Sequence, residues 1–534
     1  MRDTARHPAP VPGTSGPTTL VLLCQDLQGV VPPGLDLTSL ARGLSSNLRG
    51  VVVQVAAGLC HSPGVVPQAV RQARARRLVL GLCSSRYPVS EVQAQVRRAS
   101  LDPLGLQAVD LGSALQGAPS PLAAGARARL ALAAAVARAR AFPGSRPENV
   151  KTALAALGQR VSRRALLTLP PVTYYSVPTV DDERCAAGEG CDQCLRACPV
   201  GAVASEGGTP VVDRARCLGC GACVAACPQR AVVFPGWGPA EVEAQVAALL
   251  TMEAAVGGRA LLFTCRHAQA TGGGWLPVPV PCAAMVPTAA LLQALAHGAT
   301  AVALALCDHP CPAHGGEGVQ ERVDYCQRLL QELGDTPQRV QVLGPAAGAP
   351  SSAPSLPPMP GPALPAGPLA FFGRGAAAQA VGALAARYAV AGLRLDHPAS
   401  PLGVVRVDAQ TCSGCGACAG ACPTGALSYQ RREGGVALTF DARLCSGCGA
   451  CVAPCPERAA GAIAVTRTTG LSRLSRGPQV LFQDQEARCQ RCGASIAPRA
   501  LLGRVAAALG GDYPREVVER LCPRCRTLSH PGGG

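Results

Sequence analysis

The chain has 534 residues, 28 cysteines, 61 glycines and 48 prolines, with a formal charge of +16. Its length gives three to five domains at roughly 100–200 residues each, and 48% apolar residues exclude a disordered chain. No apolar run reaches the roughly 18 residues of a membrane span and Met1 to Thr19 has no secretory apolar stretch, so a cytoplasmic protein without direct membrane insertion is expected.

From the N-terminus, residues 18–113 read as a small α/β domain. Strands at Thr19–Leu23, Gly50–Leu59 and Arg77–Leu82 run into Cys24, Cys60 and Cys83. Residues 114–172 read as a helical linker, with helices over Gln116–Ser145 and Asn149–Leu169. Lys151 is the only lysine, so the basic excess is arginine and reflects compositional bias. With aromatics at 3%, few platforms exist for stacking bases, and nucleic acid is not expected as a partner.

Residues 173–238 carry two cysteine runs, Cys185-x5-Cys191-x2-Cys194-x3-Cys198-Pro199 and Cys217-x2-Cys220-x2-Cys223-x3-Cys227-Pro228. Residues 404–466 repeat the pattern in Cys412-x2-Cys415-x2-Cys418-x3-Cys422-Pro423 and Cys445-x2-Cys448-x2-Cys451-x3-Cys455-Pro456. In a reducing compartment such clusters are not disulfide staples. Two-residue gaps let the chain curl around a cubane with three thiolates facing three irons, and the fourth cysteine reaches the other cluster of the pair. Both regions resemble bacterial two-cluster ferredoxins. The resemblance implies four [4Fe-4S] clusters, held by Cys185, Cys191, Cys194 with Cys227; Cys217, Cys220, Cys223 with Cys198; Cys412, Cys415, Cys418 with Cys455; and Cys445, Cys448, Cys451 with Cys422. The first gap is enlarged and Gly188 occupies the usual position, which leaves open whether Cys185 is a ligand.

Residues 239–345 read as a second α/β domain. Strands at Ala260–Thr264, Leu276–Pro281 and Thr300–Leu306 lead into Cys265, Cys282 and Cys307, with Cys311 just beyond and a helix over Pro287–His297. Four cysteines at the carboxyl edge of an open sheet suit a [2Fe-2S] cluster. The stretch with Cys265-Arg266, Cys282-Ala-Ala-Met-Val-Pro and Cys307-Asp-His-Pro-Cys311 is similar to the iron–sulfur delta subunit family of methyl-viologen-type hydrogenases. That likeness implies electron transfer between a hydrogenase or formate dehydrogenase and a heterodisulfide reductase-like protein. His297, His309 and His314 border this site as hydrogen-bond donors or surface residues, and Cys326 reads as a core thiol. The N-terminal domain echoes the pattern and reads as an internal repeat. It also resembles the N-terminal domain of the flavin-binding component of heterodisulfide reductase, at Cys60-His-Ser-Pro-Gly and Leu82-Cys83-Ser-Ser-Arg86. Three cysteines leave two readings, a structural domain or a cluster with an outside or non-cysteine ligand.

Residues 346–368 are rich in Pro, Ala and Ser and read as a semi-rigid linker that lets the second ferredoxin move. Residues 369–403 read as a βαβ connector whose Gly373-Arg-Gly375 turn, with Asp396 further on, imitates a dinucleotide fingerprint. Within 480–530, Cys489-x2-Cys492 and Cys522-x2-Cys525 make a zinc-ribbon-like module around one zinc, with iron as the alternative, and helices over Leu501–Leu509 and Arg515–Leu521 fill the gap. The fold class is multidomain α/β plus α+β: two ferredoxin-like modules, two small α/β domains and the C-terminal module. The expected function is a multi-cluster electron relay with no substrate-converting site of its own. The other reading is an iron–sulfur oxidoreductase with a flavin at the Gly373 turn.

Overall fold

The computed structural model describes residues 18–27, 36–84, 87–115, 118, 120–154, 172–252, 258–268, 273–307, 316–344, 352–364, 369–432, 435–510 and 514–527. Among them no helix is long and apolar enough to cross a membrane. The N-terminal domain is a parallel sheet of β1 (Thr19–Cys24), β2 (Val51–Ala56), β3 (Arg77–Leu82) and β4 (Gln107–Asp110), in the order β2-β1-β3-β4. β1 is buried along its whole length, the signature of a strand covered on both faces of a parallel sheet.

The helix Pro121–Ala141 is Ala-rich, and its burial runs around nearly all of its circumference. A helix apolar on all sides belongs inside a protein. Ala124, Ala128 and Leu132 pack into the N-terminal core, while Leu130 and Ala134 join the core of the second α/β domain. The expected linker is therefore a shared wall between two domains. The helix expected over Asn149–Leu169 is not formed at its start. Val150–Leu154 is strand β5, paired antiparallel with β6 (Val172–Ser176), and residues 155–171 lie outside the described residues. Strand pairing with a distant segment here outweighs local helix preference.

In the first ferredoxin-like module β7 (Thr179–Val180) pairs with β10 (Val232–Val233). Between them lies the hairpin β8 (Val203–Glu206) and β9 (Thr209–Val212). Gly207 and Gly208, both at positive φ, make its tight turn. The second α/β domain repeats the first. Its strands β11 (Ala260–Cys265), β12 (Leu276–Val280), β13 (Ala301–Ala305) and β14 (Val340–Leu343) are parallel in the order β12-β11-β13-β14. The two sheets share one topology, second-first-third-fourth.

Residues 352–364 are strapped to this domain. Arg387 donates to the carbonyls of Met359 and Pro360, Arg339 to that of Pro357, and the Leu364 amide to Ala296. Within the expected semi-rigid linker, residues 352–364 are held by these arginines. The same use of arginine recurs at Arg138, 1% exposed, which donates to Gly236 and Pro279 carbonyls and lies 4.9 Å over Trp237. Much of the basic excess near the core is thus a set of braces for backbone carbonyls.

The βαβ connector expected over 369–403 shows, among the described residues, a helix Ala376–Arg387 and one strand, β15 (Arg394–Asp396). β15 pairs antiparallel with β19 (Ile463–Gly470), as does β16 (Gly403–Val407). Asp396 accepts hydrogen bonds from Arg394 and Thr468. The hairpin β17 (Leu427–Arg432) and β18 (Gly435–Phe440) continues through β20 (Gln479–Arg488) into β21 (Ser495–Pro498). The C-terminal cysteines therefore hang from the second ferredoxin's own sheet. Helices follow at Arg499–Leu509 and Arg515–Val518.

Candidate metal centres

In the first module the enlarged loop folds as a turn. Asp181 caps it, accepting the Arg184 guanidinium at 2.7 Å and, through its carbonyl, the Cys185 amide at 3.0 Å. A 3-10 turn over Ala187–Glu189 and left-handed Gly190 (φ 87°) absorb the additional residues. Cys185 thereby lies in the neighbourhood of Cys191, Cys194 and Cys227. Burial raises the Cys194 thiol to about 11. Cys217, Cys220, Cys223 and Cys198 form the second group and together line one small cavity. The amides of Ala202 and Ala231 donate to the sulfurs of Cys198 and Cys227 at 3.1 and 3.3 Å.

The second module repeats this crossing. Cys412, Cys415, Cys418 and Cys455 line another cavity, closed on one side by Tyr429, whose hydroxyl donates to the Gly414 carbonyl at 2.9 Å. Cys445, Cys448, Cys451 and Cys422 form the last set. Burial raises Cys445 to about 11 and Cys451 to about 12, so as free thiols these side chains are protonated at neutral pH. A bound cluster's positive irons reverse that preference. Enclosed pockets lined by four sulfurs, with amides donating to sulfur, fit iron–sulfur clusters.

In the second α/β domain Cys265 ends β11, Cys282 follows β12 and Cys307 follows β13, all buried. Hydrogen bonding between Cys265 and Cys282 holds the first thiol down, to about 5, and pushes the second up. Cys311, His309 and His314 lie outside the described residues. His297 caps the far end of helix Thr288–Ala296, nine residues and about 13 Å along. It stands at the opposite sheet edge from Cys282 and does not border the cysteines as expected. Cys326 is fully buried in the core, as expected.

Contacts between domains set which centres are neighbours. A Cβ on Gly221, beside Cys220, would meet the Met285 side chain at 2.9 Å, and Arg266 donates to the Leu218 carbonyl at 2.6 Å. The Cys282 edge therefore abuts the Cys217–Cys223 loop. At the other side of the module, Gln229 donates to the Pro423 carbonyl at 2.6 Å and the Arg374 amide to Pro228 at 3.1 Å. Next to Cys227 and Cys422, these join the two ferredoxin-like modules. A cleft of about 680 Å³ lies at this junction, lined by Cys227, Cys445 and Cys448 with Arg322, Arg374, Arg443 and Arg467. Several of these residues stand inside the motifs read from the sequence, but which of them meet was not legible there, because each contact pairs segments remote along the chain.

At the C-terminus the sulfurs of Cys489, Cys492, Cys522 and Cys525 all lie within 4.8 Å of one another, with Cys492 and Cys522 at 3.6 Å. Gly493 at φ 70° returns its amide to the Cys489 carbonyl, turning the knuckle. The Cys522 backbone amide holds the Cys489 thiol down to about 6. In the N-terminal domain the sulfurs of Cys24, Cys60 and Cys83 likewise converge within 4.8 Å.

Two modules of crossed cysteine sets beside a cysteine-edged parallel sheet define an iron–sulfur protein of the electron-transfer class. Residues 178–236 and 411–459 each match the family model of a 4Fe-4S dicluster domain. Residues 269–355 match the delta subunit of methyl-viologen-reducing hydrogenase, a stretch that takes in Cys282, Cys307 and Cys311 and starts after Cys265. No curated protein matches the chain.

Proposed function

We propose that this chain is a fixed relay of five iron–sulfur centres passing electrons between a hydrogenase or formate dehydrogenase and a heterodisulfide reductase-like or flavin partner. Its centres are four [4Fe-4S] clusters in the crossed sets named above and one [2Fe-2S] cluster at Cys265, Cys282, Cys307 and Cys311. The C-terminal four cysteines hold a structural zinc. The N-terminal domain is the counterpart of that in the flavin-binding component of heterodisulfide reductase, without a flavin domain following it.

The observation that carries the reading is the pair of junctions. Met285 against Gly221 joins the Cys282 edge to one end of the first module, and Gln229 against Pro423 joins the other end to the second. The order in space is then Cys265/Cys282/Cys307, Cys217/Cys220/Cys223/Cys198, Cys185/Cys191/Cys194/Cys227, Cys445/Cys448/Cys451/Cys422 and Cys412/Cys415/Cys418/Cys455. Bound clusters supply one-electron redox chemistry, with potentials on the order of −400 mV for ferredoxin-type centres. The chain's own residues set the spacing, bury the sulfurs and direct amides at them. No bond to a substrate forms or breaks.

A flavin enzyme is the second reading, favoured by the cleft of about 680 Å³ beside the Gly373–Gly375 turn. Visible and electron paramagnetic resonance spectra of the anaerobically purified chain, with a flavin assay, separate the two. The relay predicts reducible cluster signals and no flavin. One flavin per chain would sink the pure relay.

A further inference from the structure

The two α/β domains are duplicates in strand order and in cysteine placement, yet their sulfurs are arranged differently. In both, cysteines end the first strand, follow the second and follow the third, at the carboxyl edge where such sheets place ligands. In the N-terminal copy all three sulfurs lie within 4.8 Å of one another. Among the described residues one other set converges so closely, the C-terminal four cysteines, and none of the ferredoxin-like sets does. The distinction has a geometric meaning. One ion at metal–sulfur bonds of about 2.3 Å holds its thiolates along tetrahedral edges of about 3.8 Å. A cubane places each thiolate on a separate iron, which keeps the sulfurs farther apart.

We infer that Cys24, Cys60 and Cys83 bind a single zinc ion, with a water as the fourth donor. Asp26 flanks the set, its Oδ2 accepting from the Cys24 sulfur at 3.7 Å, while the three sulfurs alone converge on one point. The Cys83 amide donates to the Cys60 sulfur at 3.3 Å, the kind of contact that orients a ligating thiolate. The edge is also rigid. A Cβ on Gly112 would sit 2.1 Å from the Cys83 carbonyl oxygen, so the chain packs without slack behind that cysteine. Three thiolates and a water are a zinc donor set. The test of this site does not depend on any cluster passing electrons.

The test uses the full chain, purified anaerobically, with zinc and iron measured together. Cys60→Ser is expected to lower zinc by about one ion per chain with iron unchanged. Unchanged zinc, or a loss of about four irons, would overturn the inference in favour of an empty site or a cubane. Should Cys60→Ser fail to fold, the combined variant Cys489→Ser, Cys492→Ser, Cys522→Ser and Cys525→Ser gives an independent reading by removing every thiolate of the C-terminal site. Its remaining zinc should show three sulfur neighbours and one oxygen in X-ray absorption at the zinc edge. Absence of zinc from that variant, or four sulfur neighbours, contradicts the assignment.

Discussion

The two α/β domains carry the same strand order and the same three cysteine positions, and they differ in what meets that edge. In the second domain the edge presses on a ferredoxin-like loop, through Met285 on Gly221 and Arg266 on the Leu218 carbonyl. In the first, the three sulfurs draw together, and the edge, at Ser84 and Asp110, opens on a cavity of about 210 Å³ that also reaches Cys265. A duplicated scaffold thus sets one cysteine edge against a neighbouring redox module and draws all three sulfurs of the other to one point. The lesson is that sheet topology supplies an edge for ligands, while side-chain separation and the neighbouring domain decide the chemistry.

The sharpest way to break this contrast is to remove one cysteine from the junction side. Cys282→Ser should cost about two irons per chain and abolish the two-iron resonance signal, leaving zinc unchanged. A drop in zinc instead would make the two edges equivalent. Met285→Ala, at a fully buried side chain against the first module, is expected to destabilise by about 2–4 kcal/mol. It should also slow reduction of the ferredoxin-like clusters by a donor entering at the two-iron edge, seen in rapid-freeze spectra. Gly112→Ala forces a methyl towards the Cys83 carbonyl and should cost about 2–3 kcal/mol in thermal unfolding. Its effect should fall on zinc and not on iron. The smallest change is Gln229→Ala, which removes one hydrogen bond between the ferredoxin-like modules, worth about 1 kcal/mol. Iron content should stay constant.

What the sequence made legible was what short range encodes. Cysteine spacing with a trailing proline marks each ferredoxin-like run, and the apolar runs leading into Cys24, Cys83, Cys265 and Cys307 mark parallel strands. Strand order and the shared wall Pro121–Ala141 follow from packing among distant segments. The start of the segment read as helix, Val150–Leu154, became a strand because Val172–Ser176 was available to pair with it. The C-terminal knuckles read as a separate module, since β20 joins the ferredoxin sheet across residues lacking any cysteine pattern. Cys185 shows the reverse: its spacing left its role open, and a 3-10 turn ending in Gly190 at positive φ takes up the additional residues between it and Cys191. Convergence of Cys24, Cys60 and Cys83 depends on distances of a few ångströms, which no spacing rule reports.

The central claim is that one chain carries a contiguous set of iron–sulfur centres, and an iron and acid-labile sulfide count on the anaerobically purified full chain tests it most directly. Four cubanes and one two-iron centre predict about 18 irons and about 18 sulfides per chain. Fewer than about eight irons, with zinc making up the difference, would contradict the relay and leave a zinc-bound scaffold in its place.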